Sequence, residues 1–130
     1  MKASEIVQPR VITADALAPA KQVAAHMIVG RISGFPITDR EQKLVGIVTE
    51  LDLIRVLRLG RGLGDVLADE IMTRDVITVD VDDDVEHVID VLEQERIIRV
   101  LVLSDGELVG IISRGDILKA ALGPGLGISA

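Results

Sequence analysis

The sequence predicts an α/β (α+β) protein made of two copies of one β-α-β-β-α unit, and three observations predict it. LVGIVTELDLIRVL at residues 44–57 returns as LVGIISRGDILKAA at 108–121, with five of fourteen positions identical and five conservatively replaced. ASEI at 3–6 and RVITAD at 10–15 return 65 residues later as ADEI and DVITVD. Each copy also alternates β-branched runs with apolar residues at helical spacing. A repeat of this kind constrains the architecture before any element is named.

Each copy is predicted to open with a short turn at SEI or DEI, followed by a strand at Val11–Thr13 or Val76–Thr78. Apolar residues at helical spacing then predict a first helix. Two strands joined by a turn follow, and Asp105-Gly106 is a hairpin signal between apolar runs. A last helix is predicted from Glu50 to about Leu59 and from Arg114 to about Leu122. The apolar positions of the first helices are Val23, Met27 and Ile28, then Val85, Val88, Ile89 and Leu92.

These elements divide the chain into a first motif at 1–60, a linker at 61–66, a second motif at 67–122 and a flexible tail at 123–130. The Gly-rich stretch RLGRGLGD at 58–65 lacks the GK[ST] of a phosphate loop, so a flexible linker is the better interpretation. Asp82, Asp83, Asp84 and Glu86 lie at the start of a predicted helix, where the macrodipole favours negative charge. We interpret them as a helix start and predict no metal site.

Composition excludes several classes of function. The 130 residues include no cysteine, which rules out thiol catalysis and disulfides, and the net charge of −7 disfavours nucleic-acid binding. No apolar run reaches about 18 residues, so we expect no membrane partner and a cytoplasmic protein. His26 and His87 stand alone in predicted helices, and no nucleophile constellation accompanies them. We therefore predict that the chain is not an enzyme.

Two short signatures survive the repeat: Thr49-x-x-Asp52 and Ser113-x-x-Asp116, each at a strand-to-helix junction. A hydroxyl followed three residues later by an acid is a capping box, which alone would justify both pairs. The same atoms also suit a nucleotide, because a helix start attracts phosphate and an ionised Asp accepts hydrogen bonds from a ribose diol. Both interpretations stay open from the residues alone.

At this point the chain resembles a tandem pair of CBS domains, also called a Bateman module. The resemblance rests on G-[IV]-[IV]-[ST]-x-x-D written twice after a β-α-β-β unit, on EIMTRDVITV at 70–79 and on GFPITD at 34–39. It implies two motifs packed as a pseudo-two-fold pair with two clefts that bind AMP, ADP, ATP or S-adenosylmethionine. It also implies a regulatory role, without a cofactor, that acts on an unknown effector protein.

By the same resemblance, Asp52 and Asp116 would hold ribose hydroxyls, and Thr49 and Ser113 would contact phosphate. Arg99 would also reach phosphate. The base would lie against two groups of residues, one before the first helix and one at the start of the second strand: Ile12, Thr13, Ile77 and Thr78, then Phe35, Pro36, Val100 and Leu101.

We expect the two clefts to differ. The second copy offers Arg114, Gly115 and Arg99 near its signature, where the first has Glu50 and, in place of Arg99, Gly34. The Asp116 cleft should therefore bind phosphorylated ligands better. Two function classes remain open: a ligand sensor, and a ligand-free dimerisation or protein-interaction module. Both imply a homodimer, for which we predict an apolar helix surface: Val23, Met27, Leu53, Leu57, Val88, Leu92 and Leu118.

Overall fold

The computed structural model describes residues 1–123, which form two compact units. One unit combines Met1–Val11 with the chain from Ile77 onward, and the other is Ile12–Val76. We call them the Asp116 unit and the Asp52 unit after their signature acids. The tail predicted at 123–130 lies outside the described residues, apart from Gly123 at the end of the last helix.

The Asp52 unit contains a three-stranded sheet in the order β1-β2-β3. Its first two strands pair in parallel and the last two pair as an antiparallel hairpin. The elements are β1 at Ala14–Asp15, α1 at Ala20–Gly30, β2 at Gly34–Thr38, β3 at Leu44–Thr49, α2 at Glu50–Arg58 and α3 at Ala68–Ile71. The predicted order β-α-β-β-α is confirmed.

The Asp116 unit repeats the arrangement with a sheet in the order β4-β5-β6. Here too the first pair is parallel and the second antiparallel. The elements are a 3₁₀ turn at Ala3–Glu5, β4 at Thr78–Asp80, α4 at Val85–Gln94, β5 at Arg99–Ser104, β6 at Glu107–Ser113 and α5 at Arg114–Leu122. Asp105 and Gly106 adopt φ values of 51° and 81° between β5 and β6, so the predicted tight hairpin turn is confirmed.

A short extended segment adds to the edge of each sheet. Gln8 exchanges two backbone hydrogen bonds of 2.9 Å with Ile111 of β6, and Thr73 exchanges two of 2.8 Å with Ile47 of β3. Thr73 follows Gln8 by 65 residues, so the two segments are equivalent positions of the repeat. Each repeat therefore sends its N-terminal segment to the sheet built by the other repeat, and the compact units are not the sequence repeats.

Aliphatic side chains from helices and sheet fill each core, as 48% hydrophobic residues and a single aromatic require. Helix α1 buries Val23, Ala24 and Met27 against Phe35, Ile37 and Val48 of its sheet. Helix α4 buries Val88 and Leu92 against Val100, Val102 and Ile112. The helical periodicity is confirmed at these positions, but Ile28 and Ile89 lie outside the buried stripe.

The surface predicted for a dimer is wrong for five of its seven residues. Their side chains pack inside their own units, because the apolar stripe of each helix faces its own sheet. The five buried residues are Val23, Met27, Leu53, Val88 and Leu92. Leu57 and Leu118 remain exposed, at 56% and 63%.

The first strand of each copy begins later than predicted. Residues 11–13 form no strand, and β1 starts at Ala14, while β4 starts at Thr78. Pairing decides this, because Ala14 is the first residue opposite a partner, Ile37, and Thr78 is the first opposite Leu101. The β-branched run is upstream of the ladder, and propensity alone does not place a strand.

The predicted flexible linker is folded onto the Asp52 unit near its C-terminal end. Leu63–Asp65 form a 3₁₀ turn, Leu63 packs against the core and Val66 is buried. Ala20 N–H donates to the Val66 carbonyl oxygen at 2.9 Å, which fixes the start of α1. Within residues 1–123, every helix is too short or too polar to cross a membrane.

Candidate functional site

The Asp52 signature forms a complete capping box at the start of α2. The Thr49 hydroxyl accepts from the Asp52 N–H at 3.1 Å, and Asp52 Oδ2 accepts from the Thr49 N–H at 2.8 Å. The backbone amides of Thr49 and Asp52 at the helix start are thus satisfied by side chains. The capping interpretation of this pair is confirmed.

Asp52 has further partners that a cap does not require. The Thr73 hydroxyl lies 3.1 Å from both Asp52 carboxylate oxygens, and Arg55 Nη1 lies 3.6 Å from Oδ1. The Asp52 side chain is only 4% exposed. Its charge is therefore sequestered, with a donor or cation on each oxygen.

The Asp116 signature forms the same box at the start of α5. Asp116 Oδ2 accepts from the Ser113 N–H at 2.8 Å and from the Ser113 hydroxyl at 3.0 Å, while that hydroxyl accepts from the Asp116 N–H at 3.2 Å. The remaining oxygen, Oδ1, accepts from the Gln8 side-chain amide at 3.3 Å. Asp116 is half-buried. One oxygen completes the cap, and the other is held by one long hydrogen bond from an exposed side chain.

Two arginines flank this second signature. Arg99 stands directly opposite Ser113 in the β5–β6 ladder, so both side chains project from the same face of the sheet. Within residues 1–123, Arg99 forms no hydrogen bond or ion pair through its guanidinium. Arg114 Nε instead donates to the Ile97 carbonyl oxygen at 3.0 Å, which holds its stem against the unit. In the first copy, Gly34 faces Thr49 at the position of Arg99.

The residues expected to line the base fall into two groups that differ in solvent exposure. Ile12 and Ile77 are exposed, at 66% and 39%, and Thr13 and Thr78 are half-buried beside them. Phe35 and Val100 are 1% and 2% exposed, and Pro36 is buried too. Because the side chains of the second group are buried, mainly their backbone atoms are available for contact with a base.

The ring of Phe35, which the resemblance places against the base, is buried within its unit. Strand alternation directs its ring into the core of the Asp52 unit, opposite Val48, and the His26 ring lies 5.8 Å away. Neither face of Phe35 is open to a ligand.

The sequence interpretation missed Gln8 and Thr73, whose side chains reach the signature acids. They lie in the two short segments that pair with the sheet edges, which we call the bridging segments. Their signal was present, since both occupy one repeat position. The sequence does not show which edge strand each segment pairs with. This pairing brings residues 108 and 21 positions apart into hydrogen-bond contact.

The remaining titratable clusters are ordinary surface pairs. His87 Nε2 lies 3.8 Å from Asp83, and Lys2 Nζ lies 3.1 Å from Asp84. Asp83 also accepts from the Asp80 N–H at 2.8 Å in the turn before α4. No group of three or more His, Asp or Glu residues in the described chain is arranged to hold a metal ion.

This chain is similar in sequence and in structure to known proteins. Residues 3–59 and 68–123 both match the CBS domain. A solved CBS domain pair, in complex with 5′-methylthioadenosine and S-adenosyl-L-methionine, is 32% identical with a TM-score of 0.71. The match covers 95% of this chain and 97% of that one.

Curated relatives extend the comparison to longer proteins. An uncharacterised protein of Methanopyrus kandleri is 32% identical over 117 residues, which are 88% of this chain and 60% of that protein. Inosine-5′-monophosphate dehydrogenase of Methanocaldococcus jannaschii is 34% identical over 119 residues, which are 91% of this chain and 23% of the enzyme. The chain thus spans 60% and 23% of the lengths of these two relatives. The repeat, the two units and these matches together show that the chain is a tandem CBS domain pair and belongs to the CBS domain family.

Proposed function

We propose that the chain is a regulatory module that binds an adenosine-containing ligand at the start of α5. The observation that carries the proposal is the carboxylate of Asp116, which is half-buried and keeps Oδ1 outside its capping box. The similar CBS pair in complex with two adenosine compounds supports the same ligand class. The ligand's ribose diol donates to Oδ1, since an ionised carboxylate only accepts.

The anionic part of the ligand lies beside Ser113. The positive potential of a helix start favours phosphate or carboxylate at this place. Arg99, on the same face as Ser113, supplies the charge, and Arg114 adds to the positive field. AMP, ADP, ATP and S-adenosylmethionine all combine adenosine with such a group.

Gly115 gives the ligand room in the first turn of α5. A Cβ at this position would meet only the Ser113 hydroxyl oxygen, at 3.6 Å, so packing within the unit does not demand glycine. Glycine inside a helix costs about 1 kcal/mol relative to alanine. Close approach of a ligand to the backbone offsets that cost. The base then lies against Ile77, Thr78 and the backbone of Val100, with Ile12, Thr13 and Pro36 as their counterparts in the first copy.

The module regulates and does not catalyse. The chain matches only a minor part of inosine-5′-monophosphate dehydrogenase, 23% of its length, and both halves of this chain match the CBS domain. Ligand binding changes how the module engages an effector protein, in the cytoplasm, without nucleic acid or membrane as a partner.

Assembly is the second candidate function, and one surface favours it. A groove of about 230 Å³ in the Asp52 unit runs between α1 and α2, with Ile28, Ile54 and Leu57 exposed at 79%, 57% and 56%. Exposed apolar patches mark interaction sites. A second copy of the chain, forming a homodimer, covers this groove.

A thermal-shift panel with adenosine, 5′-methylthioadenosine, AMP, ATP and S-adenosylmethionine tests the ligand proposal. A ligand at 100 times its Kd should add about 2.7 kcal/mol to the free energy of unfolding. AMP should bind more tightly than adenosine, and Arg99→Gly, which installs the first-copy residue, should remove that difference. No shift with any compound would leave assembly as the function.

A further inference from the structure

We infer that Thr73 closes the Asp52 site, so that the chain binds one ligand molecule, at Asp116. The inference rests on the proposed function and adds its stoichiometry. It also assigns a specificity role to one repeat position, occupied by Thr73 and Gln8, that the signature itself does not contain.

Both carboxylate oxygens of Asp52 already have a donor or a cation within the unit. Oδ2 accepts from the Thr49 N–H at 2.8 Å, and the Thr73 hydroxyl lies 3.1 Å from both oxygens. Arg55 Nη1 adds a positive charge 3.6 Å from Oδ1. With the side chain 4% exposed, a diol reaches Asp52 only by displacing Thr73. Thr73 acts as an internal substitute for the ligand hydroxyl.

Thr73 is held in this position by the backbone. Both its N–H and its carbonyl oxygen are paired with Ile47 at 2.8 Å, so its Cβ is fixed at the sheet edge. A threonine side chain is short and has one strongly restricted torsion. Without backbone movement, the hydroxyl can leave Asp52 only by rotation about this one torsion, although Thr73 itself is exposed.

Gln8 leaves Asp116 accessible although its backbone is anchored in the same way to Ile111. Its amide makes one 3.3 Å hydrogen bond to Oδ1, and the Gln8 side chain is exposed. Rotation about its side-chain torsions frees Oδ1 without moving the backbone. Lys119, which stands where the first copy has Arg55, makes no ion pair with Asp116 in the described chain.

Calorimetric titration of the full chain with AMP, ATP and S-adenosylmethionine tests this inference. Wild type should bind one equivalent. Thr73→Gln, which copies the open arrangement, should bind two equivalents. Gln8→Thr should raise the Kd of the Asp116 site at least tenfold. Thr73→Ser keeps the hydroxyl and is the matched control; it should stay at one equivalent. Circular dichroism establishes that each variant is folded.

The outcomes separate this inference from the proposed function. Two equivalents in wild type, reduced to one by Asp52→Asn, would overturn the inference and leave adenosine binding intact. One equivalent in both wild type and a folded Thr73→Gln would also overturn it. Absence of binding by wild type and all variants would overturn both.

Discussion

The backbone of Gln8 crosses directly over Gly110. A Cβ on this glycine would overlap the Gln8 carbonyl oxygen and a methyl group of Val7. Gly46 has the same relationship with Thr73, whose carbonyl oxygen would lie 2.9 Å from an added Cβ. Glycine inside a strand marks such close backbone approach. In both units, the neighbour of the glycine is the bridging segment.

Gly110→Val and Gly46→Val should each lower the free energy of unfolding by about 1–3 kcal/mol, because the bridging backbone has to move away. Urea denaturation measures the loss. Gly115→Ala is the control, since its Cβ meets only the Ser113 hydroxyl oxygen, at 3.6 Å. An unchanged midpoint for Gly110→Val would contradict the packing described here.

Asp52→Asn should destabilise more than Asp116→Asn. Asp52 is 4% exposed and bonded on both oxygens, and hydrogen bonds to a charged group contribute about 1.5–3 kcal/mol. Asp116 is half-buried, and losing a cap costs about 1 kcal/mol. Paired urea curves compare the two variants. Equal losses of unfolding free energy would mean that the contacts of Thr73 and Arg55 with Asp52 do not stabilise the unit.

Asp116→Asn should also weaken AMP binding by roughly tenfold to more than a hundredfold. The asparagine amide presents donors where the ribose presents donors, and the lost acceptor is charged. Isothermal calorimetry measures the Kd. Affinity equal to that of wild type would reduce the Asp116 signature to a capping box.

Phe35 should matter for stability and not for ligand affinity. Its ring is 1% exposed in the core of the Asp52 unit, so Phe35→Ala should cost about 3–5 kcal/mol. Phe35→Leu keeps more of the volume and should leave the Kd for AMP unchanged. A large loss of affinity in the folded leucine variant would indicate that the Phe35 ring contacts the ligand.

Light scattering should give twice the chain mass of 13.9 kDa for wild type at micromolar concentration. Ile54→Lys places a charge in the groove between α1 and α2 and should return the mass to one chain. Ile98→Lys, at a 60% exposed position outside the groove, is the control and should stay dimeric. A wild-type mass of 13.9 kDa would argue against assembly through this groove.

The sequence predicted the elements well because local patterns determine them. The hairpin at Asp105-Gly106, the helices after Thr49 and Ser113 and the order of elements depend on turn chemistry, caps and periodicity. The starts of β1 and β4 were misplaced because a strand needs a partner. The burial of the Phe35 ring could not be predicted from the sequence, because it depends on which face of β2 meets α1.

Part of the candidate site was beyond sequence reasoning for a topological reason. The two repeats carry nearly the same N-terminal segment, so either sheet has an edge that suits either segment. Only the fold shows that Gln8 pairs with Ile111 and Thr73 with Ile47. The difference between the Asp52 and Asp116 sites follows from that pairing.

The exchange of segments means that the repeat boundary is the wrong place to cut this chain. A fragment ending near residue 60 would carry Met1–Val11 without its sheet and would lack the segment that pairs with Ile47. A circular permutant that begins at Ile77 and joins the original termini would instead encode each unit as one continuous stretch. Because both segments belong to one chain, their exchange is intramolecular and independent of protein concentration.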